Sequence, residues 1–139
     1  MSKASQIVNH MMQNDAFSQW LGIEVVENKE GYCRLKMRLR EEMTNGFKIA
    51  HGGITYSLAD SALAFASNGR GDHALSIETS IAHTRPAQVG DTLFAEAIEK
   101  SHTRRFGIYE VQVTNQTGDL IALFKGTVYR TGKEWGIGN

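Results

Sequence analysis

His51-Gly-Gly-Ile-Thr-Tyr-Ser-Leu-Ala-Asp-Ser-Ala-Leu-Ala-Phe-Ala-Ser-Asn68 is the stretch around which the rest of the chain has to be arranged. It reads as a helix from about Gly52 to Ser67, too apolar and too rich in Ala and Ser to face water. Leu58, Ala62 and Phe65 form one apolar stripe; Tyr56, Ala59, Leu63 and Ala66 form another. Two stripes call for cover on more than one side, from a sheet and from a partner subunit. Asn68-Gly69 is expected to end the helix as a C-cap does. Asp60 is the only formally charged side chain between Lys48 and Arg70, histidine counted as neutral. A carboxylate in such surroundings is costly unless it is hydrogen-bonded, paired or used. Asp is also poor inside a helix, because its side chain competes for backbone groups. Two penalties accepted at one position mark a working carboxylate.

Strand patterns lie on both sides of this helix. Upstream, Ser2 to about Gln13 reads as a short amphipathic helix, with Ile7, Val8, Met11 and Met12 on one side. Asp15 to Leu21 follows as a second turn or two, with Asp15 as N-cap and Gly22 as the stop. Tyr32 to Arg40 alternates, with Cys33, Leu35, Met37 and Leu39 inward and Arg34, Lys36, Arg38 and Arg40 outward. Its hairpin partner is Ile23 to Glu27, across Asn28 to Gly31. Met43 to Ala50 is a loop centred on Asn45-Gly46. Downstream come four strand-like runs: Ala74 to Thr84, Asp91 to Ser101, Phe106 to Asn115 and Leu120 to Arg130. One buried helix returning between hairpin-forming strands predicts an α+β fold, a strongly curved antiparallel sheet wrapped around the helix.

The 139 residues make one domain, residues 1–139, without repeat, linker or low-complexity tract. Fifteen basic residues balance fifteen acidic ones, so no global field recruits nucleic acid or an anionic membrane. Zero net charge leaves little self-repulsion and suits self-association. The lone Cys33 has no disulfide partner and fits a reducing, cytoplasmic setting. Met1 to Phe17 has the continuity of neither a signal peptide nor an anchor, and no segment approaches a membrane span.

His51-Gly52-Gly53, the following Ser57-Leu58-Ala59-Asp60, the upstream Asn45-Gly46, and Arg85-Pro86 with Gly90-Asp91 carry a resemblance. In them the chain resembles the hotdog-fold acyl-CoA thioesterases, in the PaaI-like branch named for phenylacetic acid degradation. The likeness extends over nearly the whole chain, including the first helix and Ala122-Leu-Phe-Lys-Gly126. It implies hydrolysis of an aryl-acetyl or medium-chain acyl-CoA to free acid and coenzyme A, with no metal or bound cofactor. It also implies a homodimer that pairs again into a homotetramer.

Residue chemistry supplies an independent argument. Amide groups near Gly52, Gly53 and Ile54 lie at a helix N-terminus and lack intrahelical partners. The helix dipole adds about half a positive charge there. Two glycines let a carbonyl approach the backbone closely, which describes an oxyanion hole; simple turn chemistry is the bland reading of the same glycines. Asp60 would act as nucleophile on the carbonyl carbon or as base for a water. Eight helical residues separate Gly52 from Asp60, roughly 12 Å of rise and about 80° of rotation. They cannot touch one carbonyl in the same subunit, but can across a two-fold where two such helices meet antiparallel. The hotdog dimer is similar to that description. Gly53, Ser57 and Ala64, small and on Asp60's face, leave a slot for substrate.

The remaining candidates read two ways. Asn45 holds the attacking water or the thioester oxygen, or is a turn residue of Asn-Gly. His51 positions the thioester or hydrogen-bonds the loop. Ser76 matches a family position near the reacting centre, or is a plain strand serine. Coenzyme A carries phosphates, so a basic rim is expected from Arg85, Lys100 and the Arg104/Arg105 pair, each otherwise ordinary surface charge. The five histidines lack metal-ligand spacing. Glu78 and His83 stand where close relatives often carry other residues; Glu78 shares alternation parity with Ser76 and Ser80 and on that count faces the pocket. Two competitors remain. A hotdog hydratase needs a histidine paired with the acid, and none lies between Gly53 and Ser67. A non-catalytic acyl-CoA-binding protein would keep the pocket and spare the thioester.

Overall fold

The computed structural model describes residues 1–137. Ser2 accepts the Ser5 amide in its side chain and starts helix α1, Lys3–Gln13. Asp15 caps α2, Ala16–Leu21, and Gly22 stops it in the left-handed conformation, φ 75°. The hairpin β1 (Glu24–Lys29) and β2 (Tyr32–Arg38) is followed by a 3₁₀ turn at Glu41–Met43. Helix α3, Gly52–Asn68, comes next. Strands β3 (Asp72–His83), β4 (Thr92–His102), β5 (Phe106–Thr114) and β6 (Leu120–Glu134) complete the chain.

All pairings are antiparallel and the strand order is β1-β2-β4-β5-β6-β3. Helix α3 touches every strand, so the sheet curls around it as expected. The inner face of the sheet (Leu35, Met37, Leu93, Val111, Phe124) meets Leu58, Ala62, Leu63, Phe65 and Ala66 of the helix in one buried cluster. Close approach is enforced at Gly126, where a Cβ would come within 2.5 Å of Leu63 Cδ2. The hairpin-by-hairpin reading and the α+β class are thus borne out.

Two expectations are corrected. The apolar stripes of α3 are covered within the chain by the sheet and by α1 and α2 at Leu58, Ala59, Ala62, Leu63, Phe65 and Ala66, leaving only Tyr56 half-buried, so a partner is not needed to cover them. The face left open is the polar one, with Gly53 exposed and Ser57, Asp60 and Ala64 half-buried. The helix ends at Asn68 with Gly69 as its C-cap, as expected; Gly69 is right-handed (φ −60°), and a Cβ there would crowd Phe65 O at 3.2 Å. The buried Asn68 side chain ties α3 to β3, accepting the Ala74 amide at 3.0 Å and donating to its carbonyl at 3.1 Å.

The second correction concerns β3. Its register slips between Ser76 and Glu78, a bulge that reverses the alternation. Ser76 pairs with Val128 on the helix side of the sheet. Beyond the bulge Glu78 is on the outer face, accepting from Thr127 Oγ1 at 3.2 Å and Lys125 Nζ at 3.5 Å. Glu78 therefore faces away from α3, and Thr79, Ile81 and His83 face toward it.

Candidate active site

The N-terminus of α3 is built by His51. Its backbone is extended (φ −62°, ψ 137°), its carbonyl accepts the Ile54 amide at 2.9 Å, and its Nδ1 accepts the Gly53 amide at 2.9 Å. Two of the three amides expected to be free are therefore used. Gly52 N–H alone has no acceptor among the described residues. Because Nδ1 accepts, a neutral His51 carries its proton on Nε2. The histidine is thus a helix cap that isolates a single donor.

That donor opens onto a cavity of about 410 Å³. Asn45, Ile49, Gly52, Thr55, His83 and Arg85 are among the residues that line it. Asn45 Oδ1 accepts the Phe47 amide at 2.9 Å, which fixes the orientation of the side-chain amide and leaves Nδ2 as the available group. Asn45 therefore offers a donor, the right polarity for a thioester oxygen. The loop is closed by Asn45 N–H donating to Ile49 O (2.9 Å) and Lys48 N–H donating to Asn45 O (3.0 Å), with Lys48 in the left-handed region at φ 65°. Sequence reasoning gave His83 no role, yet its ring reaches Thr55 Oγ1 at 2.7 Å inside this cavity.

Asp60 does not line that cavity, in keeping with the helical separation from Gly52. It is half-buried and has no hydrogen-bond or ion-pair partner among the described residues. Burial pushes its carboxyl above the usual carboxylate range, with no cation to offset it. Nearby, Ser61 Oγ lies 2.9 Å from Ser18 Oγ, which anchors α2 beside it.

Of the other candidates, Gly53 sits in the first turn and Arg85 lines the cavity from the exposed end of β3. Ser76 is exposed on the helix side of β3, outside the cavity. Arg104 and Arg105 occupy the β4–β5 turn, where Arg105 carbonyl accepts the Arg130 amide at 2.7 Å. That turn is at the opposite end of the sheet from His83 and Ile121, so one protomer does not bring the pair to the cavity. Lys100 points outward, 3.9 Å from Glu110. Cys33 is buried, its thiol pushed up to about 12 by burial, and is no nucleophile.

Residues 47–122 match the thioesterase superfamily, a span that includes Gly52, Asp60 and His83. The chain is 37% identical to the acyl-coenzyme A thioesterase PaaI of Escherichia coli, over 94% of this chain and 93% of that one. The solved structure of the E. coli PaaI protein from the phenylacetic acid degradation operon superposes with a TM-score of 0.93, at 36% identity over 95% of this chain and 96% of that one. A mutant of the phenylacetic acid degradation protein PaaI from Thermus thermophilus superposes with a TM-score of 0.81, at 38% identity, covering 84% of this chain and 99% of that one.

Proposed function

The chain belongs to the thioesterase superfamily and hydrolyses acyl-CoA thioesters, and we propose that it does so in sites shared between two copies, with an aryl-acetyl or medium-chain acyl group as substrate. One observation carries the proposal. A single unpaired amide, Gly52 N–H, and a single unpaired, desolvated carboxylate, Asp60, lie on one helix too far apart to serve one carbonyl. Two α3 helices meeting antiparallel along the open face bring Gly52 of one protomer opposite Asp60 of its partner.

The chemistry follows from what each group can do. Gly52 N–H and Asn45 Nδ2 donate to the thioester oxygen and stabilise the negative charge that collects there. Asp60 either takes a proton from a water that attacks the carbonyl carbon, or attacks that carbon itself. In the first route the C–S bond breaks as the tetrahedral intermediate collapses, coenzyme A leaves as thiolate, and the proton on Asp60 passes to sulfur. In the second an Asp60 oxygen bonds to the carbonyl carbon, the C–S bond breaks and coenzyme A leaves as thiolate. Water then cleaves the acyl–aspartyl anhydride to the free acid and Asp60, with a proton released to the thiolate. A carboxyl raised by burial is a stronger base than an exposed one, which suits either role near neutral pH. His51 holds the helix start, Gly53 keeps it open, and Arg85 meets the coenzyme at the cavity mouth. No cofactor enters the reaction; coenzyme A is part of the substrate.

The dimer is supported by β3, an edge strand of 12 residues with Leu75 and Ile77 exposed at 64% and 58%. An uncovered apolar edge of that length is a pairing surface. A homotetramer fits the exposed Ile98, Phe106, Leu123 and Tyr129. Within it, Ser76, Arg104 and Arg105 contribute to substrate only across an interface. No helix of the described residues is long and apolar enough to cross a membrane, and the reduced, buried Cys33 supports a cytoplasmic setting. Thiol release from phenylacetyl-CoA and from a series of straight-chain acyl-CoAs tests the reading. Saturable release with a preference for aryl-acetyl or medium chains is expected. Calorimetric binding of these thioesters without any thiol release would replace hydrolysis with a binding role.

A further inference from the structure

We propose that His83 is a positioning residue of the hydrolytic site: with Thr55 it braces Gly52 so that the free amide stays aimed into the cavity. The inference rests on the reading of Gly52 as the oxyanion donor. The bulge between Ser76 and Glu78 turns His83 toward the helix, opposite Ala122. Thr55, one turn into α3 and buried, has its hydroxyl 3.1 Å from Gly52 O and 2.7 Å from His83 Nε2. A hydroxyl carries one proton. With that proton donated to the Gly52 carbonyl, the ring donates Nε2–H to Thr55 Oγ1, and a relay runs from imidazole through hydroxyl to the Gly52 carbonyl. The same ring flanks Gly52 directly, since a Cβ at that position would lie 3.3 Å from His83 Cε1.

A brace matters here because glycine has the widest backbone latitude of any residue. Gly52 N–H has no acceptor among the described residues; its peptide plane is held through the His51 carbonyl, which accepts the Ile54 amide at 2.9 Å, and its aim depends also on where Gly52 Cα is held on the other side. The loop side is set by His51, whose ring takes the Gly53 amide. On the strand side, the Thr55–His83 pair holds the Gly52 carbonyl and the His83 ring flanks the Gly52 Cα itself. Oxyanion donors are sensitive to small misplacements, so loosening this contact lowers turnover more than binding. The ring donates through Nε2 whether neutral or protonated, so the brace itself is indifferent to the charge on His83. Among the described residues lining the cavity, Arg85 is the only other charged or titratable side chain.

The test uses the full-length protein and five variants: His83→Phe, His83→Gln, Thr55→Val, the double Thr55→Val/His83→Phe, and Gly52→Pro. Phenylalanine keeps the ring contact and loses the donor; glutamine places an amide N–H near the position of Nε2. His83→Phe and Thr55→Val should each lower kcat about tenfold, the worth of one hydrogen bond, with KM within about twofold. The double variant should fall little below either single, because both remove one relay, and His83→Gln should recover most of kcat. The kcat–pH profile of His83→Gln should keep the parent's inflection. A loss expressed in KM alone, a double variant equal to the product of the singles, or no recovery in a folded His83→Gln overturns the brace. Should His83→Phe fail to fold, His83→Gln and Thr55→Val decide the matter. If Gly52→Pro is inactive while His83→Phe matches the parent, only the brace falls; if Gly52→Pro is active, the oxyanion reading beneath it falls too.

Discussion

Gly52→Pro deletes one hydrogen and leaves the local backbone intact. Gly52 is the first residue of α3, where proline is well tolerated because its φ suits the helix and its missing N–H would be unpaired anyway. The preceding residue must be extended, and His51 already is, at φ −62° and ψ 137°. The first capping bonds, from Gly53 and Ile54 to His51, involve neither the Gly52 nitrogen nor its hydrogen. Proline does bring a Cβ, which presses on His83 Cε1 at 3.3 Å. Gly52→Ala brings the same Cβ and keeps the amide, so the ratio of alanine to proline takes the Cβ out of the comparison and leaves the exchange of the amide hydrogen for a ring carbon. Removing one oxyanion donor costs about 10²–10³ in kcat, or roughly 2.7–4 kcal/mol of transition-state stabilisation. Thiol release under saturating phenylacetyl-CoA, with thermal unfolding as a check on folding, measures it. Proline turning over within about threefold of alanine would refute the role of the Gly52 amide. The same variant tests the shared site. Unfolding Gly52→Pro together with Asp60→Asn and refolding the mixture gives hybrid dimers in which one site carries both lesions and the other none. Random pairing makes half the dimers hybrid, so activity should return to about a quarter of the parent's. No recovery would place both groups in one chain's own site.

Asp60→Asn keeps the shape and loses the base, and kcat should fall by about 10²–10⁴. Its stability should move the other way. A carboxyl whose folded pKa lies above its unfolded value, about 3.9, costs stability as pH rises through the window between them, and the penalty persists above. The urea midpoint of the parent should therefore decline relative to Asp60→Asn from about pH 4 toward neutrality; parallel curves would contradict the desolvation. Gly126→Ala puts a Cβ 2.5 Å from Leu63 Cδ2 and should cost about 1–3 kcal/mol in urea unfolding, since the fully buried leucine has little room to yield. Replacing Leu75 and Ile77 by lysine should shift sedimentation toward monomer and take the activity with it, while an active monomer would detach the site from the dimer.

The fold was legible because its signals are local. Ser2, Asp15 and Gly22 start and stop helices by side-chain capping or positive φ, and the alternation from Tyr32 names the inner face of β2 residue by residue. Helix geometry alone gives the Gly52–Asp60 separation, and Asp60 is indeed absent from the cavity lining that includes Gly52. What escaped notice is non-local. Nothing in Ser76-Ile77-Glu78 marks a bulge, since neither glycine nor proline interrupts the run, and the slip is visible only in the pairing with β6. That one slip turned Glu78 outward and hid His83, whose partner Thr55 stands 28 residues earlier. Parity counted backward from Arg85-Pro86 would have given His83 the same side as Thr79 and Ile81, a signal available in principle. Gly69 ends α3 as its sequence suggests, but with an ordinary φ, and what crowds a side chain there is the Phe65 carbonyl together with Ala4 of another element.

The open face of α3 explains why a costly acid is kept. Leu58, Leu63 and Phe65 of the helix are already buried by the sheet or by α1 and α2, and Ile54 and Tyr56 are half-buried, so little of an apolar stripe is left for a second protomer to cover. Along the uncovered line stand Gly53, Ser57, Asp60 and Ala64, small enough for another helix to approach closely. Such an approach removes more water from Asp60, which already lacks a partner among the described residues. The interface must then supply hydrogen bonds to the carboxylate or leave a channel beside it. Ser57 cannot turn to it without giving up its bond to the Gly53 carbonyl at 2.6 Å. On the proposed reading a channel remains beside the acid, with a carboxylate from one helix at one end and the Gly52 amide of the other helix at its other end. Small residues, an open face and an unpartnered acid would then be one arrangement, in which association completes the site as well as adding to stability.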